Sequence, residues 1–193
     1  PVEYHELGIC FYLLSNHEQS LEYLEILKNR FPDYIEEGNA ALLRILCLIH
    51  LERFTEALQE LTERLPRSEY DTRLLNMHVY VLEKLGRIDD AIRVAEQILA
   101  IVPEDANARN SLGDLLSRRG TASDLARAGS HIKKAITLSP TSAAYLDSLG
   151  VYLLKQGQIQ GARAAFEKAL RFAPDNTLIL DHLREIARME NQS

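Results

Sequence analysis

Six histidines, two cysteines and a surplus of carboxylates are the side chains most able to do chemistry here, and their spacing decides what they could do. His5, His17, His50, His78, His131 and His182 never fall in the His-x-x-x-His spacing that turns two imidazoles toward one metal from a single helix face. Cys47 and His50 do share a face, but two ligands do not complete a tetrahedral site. There is no glycine-rich phosphate loop, nucleophile elbow or paired-carboxylate motif. The expectation is therefore no catalysis, no metal and no cofactor, which leaves binding as the kind of work the chain does.

The elements that would position a binding surface repeat along the chain. Leu7-Gly8, Leu112-Gly113 and Leu149-Gly150 each sit early in a block, and Pro32, Pro103, Pro140 and Pro174 each close one. Ala57, Ala91, Ala128 and Ala162 mark where a second helix crosses the first. The blocks run 1–34, 38–71, 72–105, 106–142 and 143–176. A fixed period of this size denotes stacked helix-turn-helix units that bury a continuous seam. Gly and Ala recur where two backbones approach, and larger residues fill the grooves between them. Gly86, Gly120 and Gly157 fall at the turns within a pair, where a left-handed backbone is often needed. The fourth block carries an insertion, Thr121-Ala122-Ser123, and Thr121 with Asp124 reads as a relative of the capping box, so its second helix should start early. Residues 177–190 predict one more helix, with Ile179, Leu180, Leu183, Ile186 and Ala187 as its apolar stripe.

These residues resemble the tetratricopeptide repeat family, whose pattern has Leu-Gly at positions 7–8, an aromatic at 11, Ala at 20 and 27, a bulky residue at 24 and Pro at 32. The fifth block matches best, with Leu146, Leu149, Gly150, Leu153, Ala162, Phe166, Ala169 and Pro174. The second is the most degenerate: Arg44-Ile45 replaces Leu-Gly, Arg64 stands at the second Ala, and Pro66 is displaced. The third has His78-Val79 in place of Leu-Gly. The resemblance covers 1–176 and implies an all-α, right-handed α-solenoid of stacked antiparallel helix pairs, five repeats plus a C-terminal capping helix, forming a single domain over 1–193. Pro1 falls directly on position 1 of a repeat, which suggests that further residues or repeats lie upstream.

The resemblance also implies where a partner binds, because the first helix of each pair lines a concave groove in this family. It places Leu42, Leu46 and Ile49 there as apolar anchors, with Arg73, Asn76, Tyr80, Asn107 and Asn110 along the more polar stretch that follows. Ser117, Asp147 and Lys155 fall on the same lining. Asn76, Asn107 and Asn110 could hydrogen-bond an extended peptide backbone, and Arg73 could take a carboxylate. The carboxylate clamp of some co-chaperone relatives is not expected, since His5 and Ile9 stand where it needs Lys and Asn. The helix over 39–51 is apolar almost all round, so something should cover it on every side: a partner helix, an upstream segment of this protein, a second copy, or the tight curvature of the superhelix itself. Arg44 replaces a Leu with no partner evident from sequence, and the reading is that its repeat is rotated so that Arg44 reaches solvent along its stem.

Charge is uneven. Residues 1–70 carry 6 Lys and Arg against 13 Asp and Glu, whereas residues 71–193 carry 16 against 15. No basic surface of the kind phosphate neutralisation requires is apparent, so nucleic acid is not an expected partner. Glu18, Glu22, Glu25, Glu56, Glu60 and Glu63 are spaced to form a solvated helix face. No apolar run approaches the ~20 residues that span a bilayer. Cys10 and Cys47 sit at equivalent positions one repeat apart, on helices about 8–10 Å between axes, farther than the ~7 Å between Cα atoms that a disulfide tolerates; both read as small buried hydrophobes. The expected function is a non-catalytic scaffold that holds a peptide or amphipathic helix of a partner protein. The alternative is a self-association or spacer module acting through the apolar N-terminal repeats.

Overall fold

Apolar residues recurring every three or four positions build helices throughout. The computed structural model describes residues 1–37, 39–65 and 71–190, and among these it has twelve helices and no strand. Contacts group the chain into two compact units, Pro1–Arg87 and Ile88–Ser193, each described by itself.

Unit 1 contains α1 (Val2–Leu13), α2 (His17–Arg30), α3 (Pro32–Glu37), α4 (Ala40–His50), α5 (Phe54–Arg64) and α6 (Thr72–Lys84). Asn16 caps α2 by accepting from the Gln19 amide, and Asp71 caps α6 by accepting from the Arg73 amide, each satisfying a donor the helix leaves open. The core is Leu21, Leu24 and Leu27 of α2, Ala41, Ile45 and Leu48 of α4, Ala57 and Leu61 of α5, and Leu74 and Val81 of α6. Gly8 is the one buried residue of α1. A Cβ there would lie 3.2 Å from Leu24, which is why a small residue is needed at the crossing. A buried chain of bonds ties three helices together: the Cys47 thiol donates to Ser20 Oγ at 3.2 Å, and Ser20 donates to the Gly8 carbonyl at 2.7 Å.

Unit 2 contains α7 (Ile88–Ile101), α8 (Ala106–Arg119), α9 (Ala122–Leu138), α10 (Ala143–Lys155), α11 (Ile159–Phe172) and α12 (Thr177–Glu190). Thr121 caps α9 by accepting from the Asp124 amide at 3.2 Å, and its hydroxyl donates to the Asp124 carboxylate at 2.6 Å, so the helix begins early as its sequence predicts. Bonds from Arg119 and then Thr121 hold the Asp124 carboxyl well below the usual carboxylate range. The last helix packs on α11 through Ile179 and Ile186. Its His182 Nδ1 donates to Asp147 at 2.9 Å, and its ring lies 4.9 Å from that of Phe166. Burial pushes the Asp147 carboxyl up against the opposing effect of that bond.

Four expectations are corrected. Arg44 does not reach solvent: it is 5% exposed, its Nε donates to Glu60 at 2.6 Å and its Nη1 pairs with Glu25. Glu60 consequently is buried rather than part of a solvated face, and Lys28 also pairs with it at 2.9 Å. Cys10 is exposed where Cys47 is buried, because among the described residues no helix packs on the face of α1 that α2 covers on α4. Ser117, assigned to the lining, is buried and bonds the Gly113 carbonyl. The short α3 was also not foreseen, and the displaced Pro66 lies outside the described residues.

Candidate functional site

An open groove of about 790 Å³ runs along unit 1. Leu46, Ile49 and His50 of α4 form one wall, and Asn76, Met77, Tyr80 and Lys84 of α6 form the other, with Glu52 and Phe54 at one end. The two walls exist because residues three and four apart on a helix share a face, which α4 supplies with 46, 49 and 50 and α6 with 76, 77, 80 and 84. Much of the lining is apolar or aromatic. Phe54 meets Tyr80 edge-on at 6.3 Å, and the Lys84 ammonium sits 5.3 Å above the Tyr80 ring, an arrangement that steadies a cation over an aromatic face.

Four of the residues assigned from sequence therefore come together: Leu46, Ile49, Asn76 and Tyr80. Leu42 lies one turn earlier on α4 and is half-buried against the core instead. The rest of the apolar α4 is covered from within, with Ala40, Ala41, Ile45, Cys47 and Leu48 all buried. Arg73 is exposed but folded back on Asp71 through two bonds, at 3.1 and 2.9 Å, so a ligand carboxylate would have to displace Asp71. Asn76 donates its amide to the Thr72 carbonyl at 2.8 Å.

Asn107 and Asn110 belong to α8 in unit 2. Asn107 accepts from the Tyr145 hydroxyl at 2.6 Å, while the buried Oδ1 of Asn110 makes no hydrogen bond among the described residues. Phe54, Met77 and Glu52 were not identified from sequence. The signal available for Phe54 was its position as the first residue of a second helix, immediately after a turn.

His50 is itself held in place. The Tyr12 hydroxyl lies 3.1 Å from its Nε2, and the His17 ring stacks on it with centroids 4.3 Å apart and planes 13° from parallel. Tyr12 also contacts His17, at 5.2 Å. Among the described residues no three His, Cys, Asp or Glu side chains are grouped as metal ligands would be, and no described helix is long and apolar enough to cross a membrane.

A second surface lies on α1. Val2, Leu7, Ile9, Leu13 and Leu14 are all exposed, Leu13 at 75%. Of the positions equivalent to Cys10 in the later repeats, Cys47, Val81 and Leu115 are fully buried and Tyr152 is half-buried. The face of α1 thus carries the residues of a packing seam without a helix packed on it among the described residues.

The repeats have counterparts in known proteins. Tetratricopeptide repeat family profiles match residues 4–34, 76–143 and 143–176. A TPR repeat-containing protein of Pseudomonas aeruginosa is 32% identical over 146 residues, covering 76% of this chain and 51% of the relative. The chain spans about half or less of the length of the curated relatives it matches. Among solved structures, a thermophilic TPR protein of Thermus thermophilus superposes with a TM-score of 0.76 at 17% identity, covering 96% of this chain and 97% of that one. YrrB, described as a TPR protein with an unusual peptide-binding site, superposes with a TM-score of 0.65 at 20% identity, covering 92% and 89%.

Proposed function

Because this chain belongs to the tetratricopeptide repeat family, we propose that it is a non-catalytic scaffold which holds a peptide or amphipathic helix of a partner protein in the groove of unit 1. The observation that carries this reading is the groove itself, an open trough whose walls present Leu46, Ile49, Met77 and Tyr80, with Phe54 at one end, beside the polar His50, Glu52, Asn76 and Lys84. An apolar lining with a few polar groups among it suits a helix that presents two or three anchors on one face. YrrB, a structural neighbour, is described as peptide-binding, which supports the class of ligand without identifying it. Arg73 is proposed as a secondary polar contact at the unit 1 groove, and Asn107 and Asn110 as polar contacts offered separately by unit 2.

Leu46→Glu tests this. A carboxylate on the groove wall would be desolvated by any apolar ligand, while Leu46 is only half-buried in the free protein, so helicity should be unchanged. At pH 7.5, affinity capture is expected to lose any partner that the wild-type chain retains through the groove. Retention by both chains would show that binding, if any, lies elsewhere.

The exposed face of α1 favours a second reading, self-association or docking as a spacer within a larger repeat assembly. Val2, Ile9 and Leu13 fall on one face of the helix, and exposed apolar residues grouped in this way mark an interaction site. Here Leu13→Glu with Leu14→Lys is expected to return a concentration-dependent assembly to a monomer in sedimentation equilibrium. A wild-type mass that does not vary with concentration would discard this reading.

A further inference from the structure

We propose that the unit 1 groove is acid-released: protons on both His17 and His50 separate their stacked rings and withdraw His50 from the groove wall. This regulation rests on the groove being the binding site, and it follows from how the two imidazoles are placed.

His50 lines the groove, and two contacts fix its position: the Tyr12 hydroxyl and the face of the His17 ring. While both rings are neutral, stacking is favourable and His50 Nε2 can accept from Tyr12. One proton still leaves a cation on a neutral ring. Two protons put like charges 4.3 Å apart, and the stack becomes a repulsion.

His17 is poorly prepared for that second proton. Its Nδ1 is buried and makes no hydrogen bond among the described residues, so an N–H there would have no acceptor. It is also the first residue of α2, where the partial positive charge of the helix terminus opposes a cation. Of the other titratable or charged groups, Tyr12 from α1 touches both rings, Cys47 from α4 acts on Tyr12, and Glu52 from the turn that follows α4 and Lys84 from α6 line the groove with His50. A carboxylate at Glu52 favours a charge on the nearby groove wall and the Lys84 ammonium opposes it, while α5 contributes the uncharged Phe54 to the lining.

The direction with pH follows. Burial, and after it His50, hold the His17 imidazole below its ordinary value. A base depressed on folding contributes stability that is present above its unfolded value and is lost as pH falls through the folded one. The closed stack therefore belongs to neutral pH and the open one to acid, within the range in which histidine acts as a switch.

The test is a titration of the free protein by NMR from about pH 7.5 to about pH 5, following both imidazoles together with the Leu46, Ile49 and Tyr80 amides. The expected result is that His17 takes its proton late and that the groove amides shift with it. His17→Phe keeps a ring on His50 but cannot be charged, and should abolish that shift; His50→Gln, which keeps an acceptor for Tyr12, should do the same and serves if the first variant does not fold. Groove amides that do not respond to pH, or that move equally in the uncharged variants, would overturn the proposal. None of these readouts requires a ligand, whereas the Leu46→Glu capture is made at pH 7.5 with the stack closed, so the switch and the binding reading can fail separately.

Discussion

Arg44→Ala is expected to lower the stability of unit 1 by about 3 kcal/mol, the lower end of the cost of breaking a buried ion pair by removing one partner. The guanidinium is enclosed between α2, α4 and α5, with side chains of Arg44 and Glu60 exposed by only 6% and 10%. Its removal leaves the Glu60 carboxylate buried with a single cation, Lys28 at 2.9 Å. Lys28 is why the loss should fall toward the lower end, since it keeps part of the compensation a buried charge needs. Glu25 is far more open, so its pairing with Arg44 adds little.

The informative variant is the double one. Arg44→Met with Glu60→Leu replaces the enclosed pair by apolar groups of similar reach, and such replacements are often neutral or stabilising. Urea unfolding should therefore find the double variant closer to wild type than Arg44→Ala. Arg44→Lys should not fully rescue, because one ammonium nitrogen cannot stand in both places from which the planar guanidinium donates, Nε toward Glu60 and Nη1 toward Glu25. An Arg44→Ala loss within about 0.5 kcal/mol, the scale of a surface substitution, would show that the cluster is not enclosed.

That cluster marks where sequence reading stops. The period of the repeats was legible because close backbone approach demands small residues, and Gly8, Gly113 and Gly150 stand where it occurs. The early start of α9 was legible because Thr121 and Asp124 are three apart and need nothing beyond local geometry. Arg44 is different: its partners are 16 and 19 residues away on two other helices, and only packing brings them together. Turn chemistry divided the same way. Gly86 and Gly157 announced their left-handed turns, but Ser15 and Glu52 adopt positive φ at the corresponding turns, 58° and 56°, with side chains that give no such notice. In the groove, the resemblance located Leu46, Ile49, Asn76 and Tyr80 because they repeat at fixed positions. The stack of His17 on His50 stayed hidden because it joins the start of one helix to the end of another, across a pair boundary.

Gly150→Ala should be among the damaging single-methyl additions in unit 2, with Gly113→Ala, where a Cβ would lie 2.5 Å from Ile132 Cγ1. A Cβ at Gly150 would come within 2.6 Å of Cδ1 and Cζ of Phe166, and that ring is fully buried. It cannot swing aside cheaply, because His182 lies against it from α12 and is itself held by Asp147. Overpacking of this kind costs about 1–3 kcal/mol, offset only in part by the ~1 kcal/mol that Ala gains over Gly inside a helix. Gly8→Ala provides the contrast: its nearest neighbours are the Leu24 side-chain carbons at 3.2 Å, which need yield only slightly, so the helix gain should roughly balance the crowding. Phe166→Leu alone removes buried ring volume and leaves a partial cavity, a loss of the large-to-small kind. Combined with Gly150→Ala, the new methyl should occupy part of that space. The two changes should then cost less together than the sum of each alone, by the 0.5–3 kcal/mol typical, roughly, of residues in contact. Strict additivity in thermal unfolding would mean that the glycine is not shaped to the ring, and the reason for a Gly at that position of the repeat would have to be sought in the backbone instead.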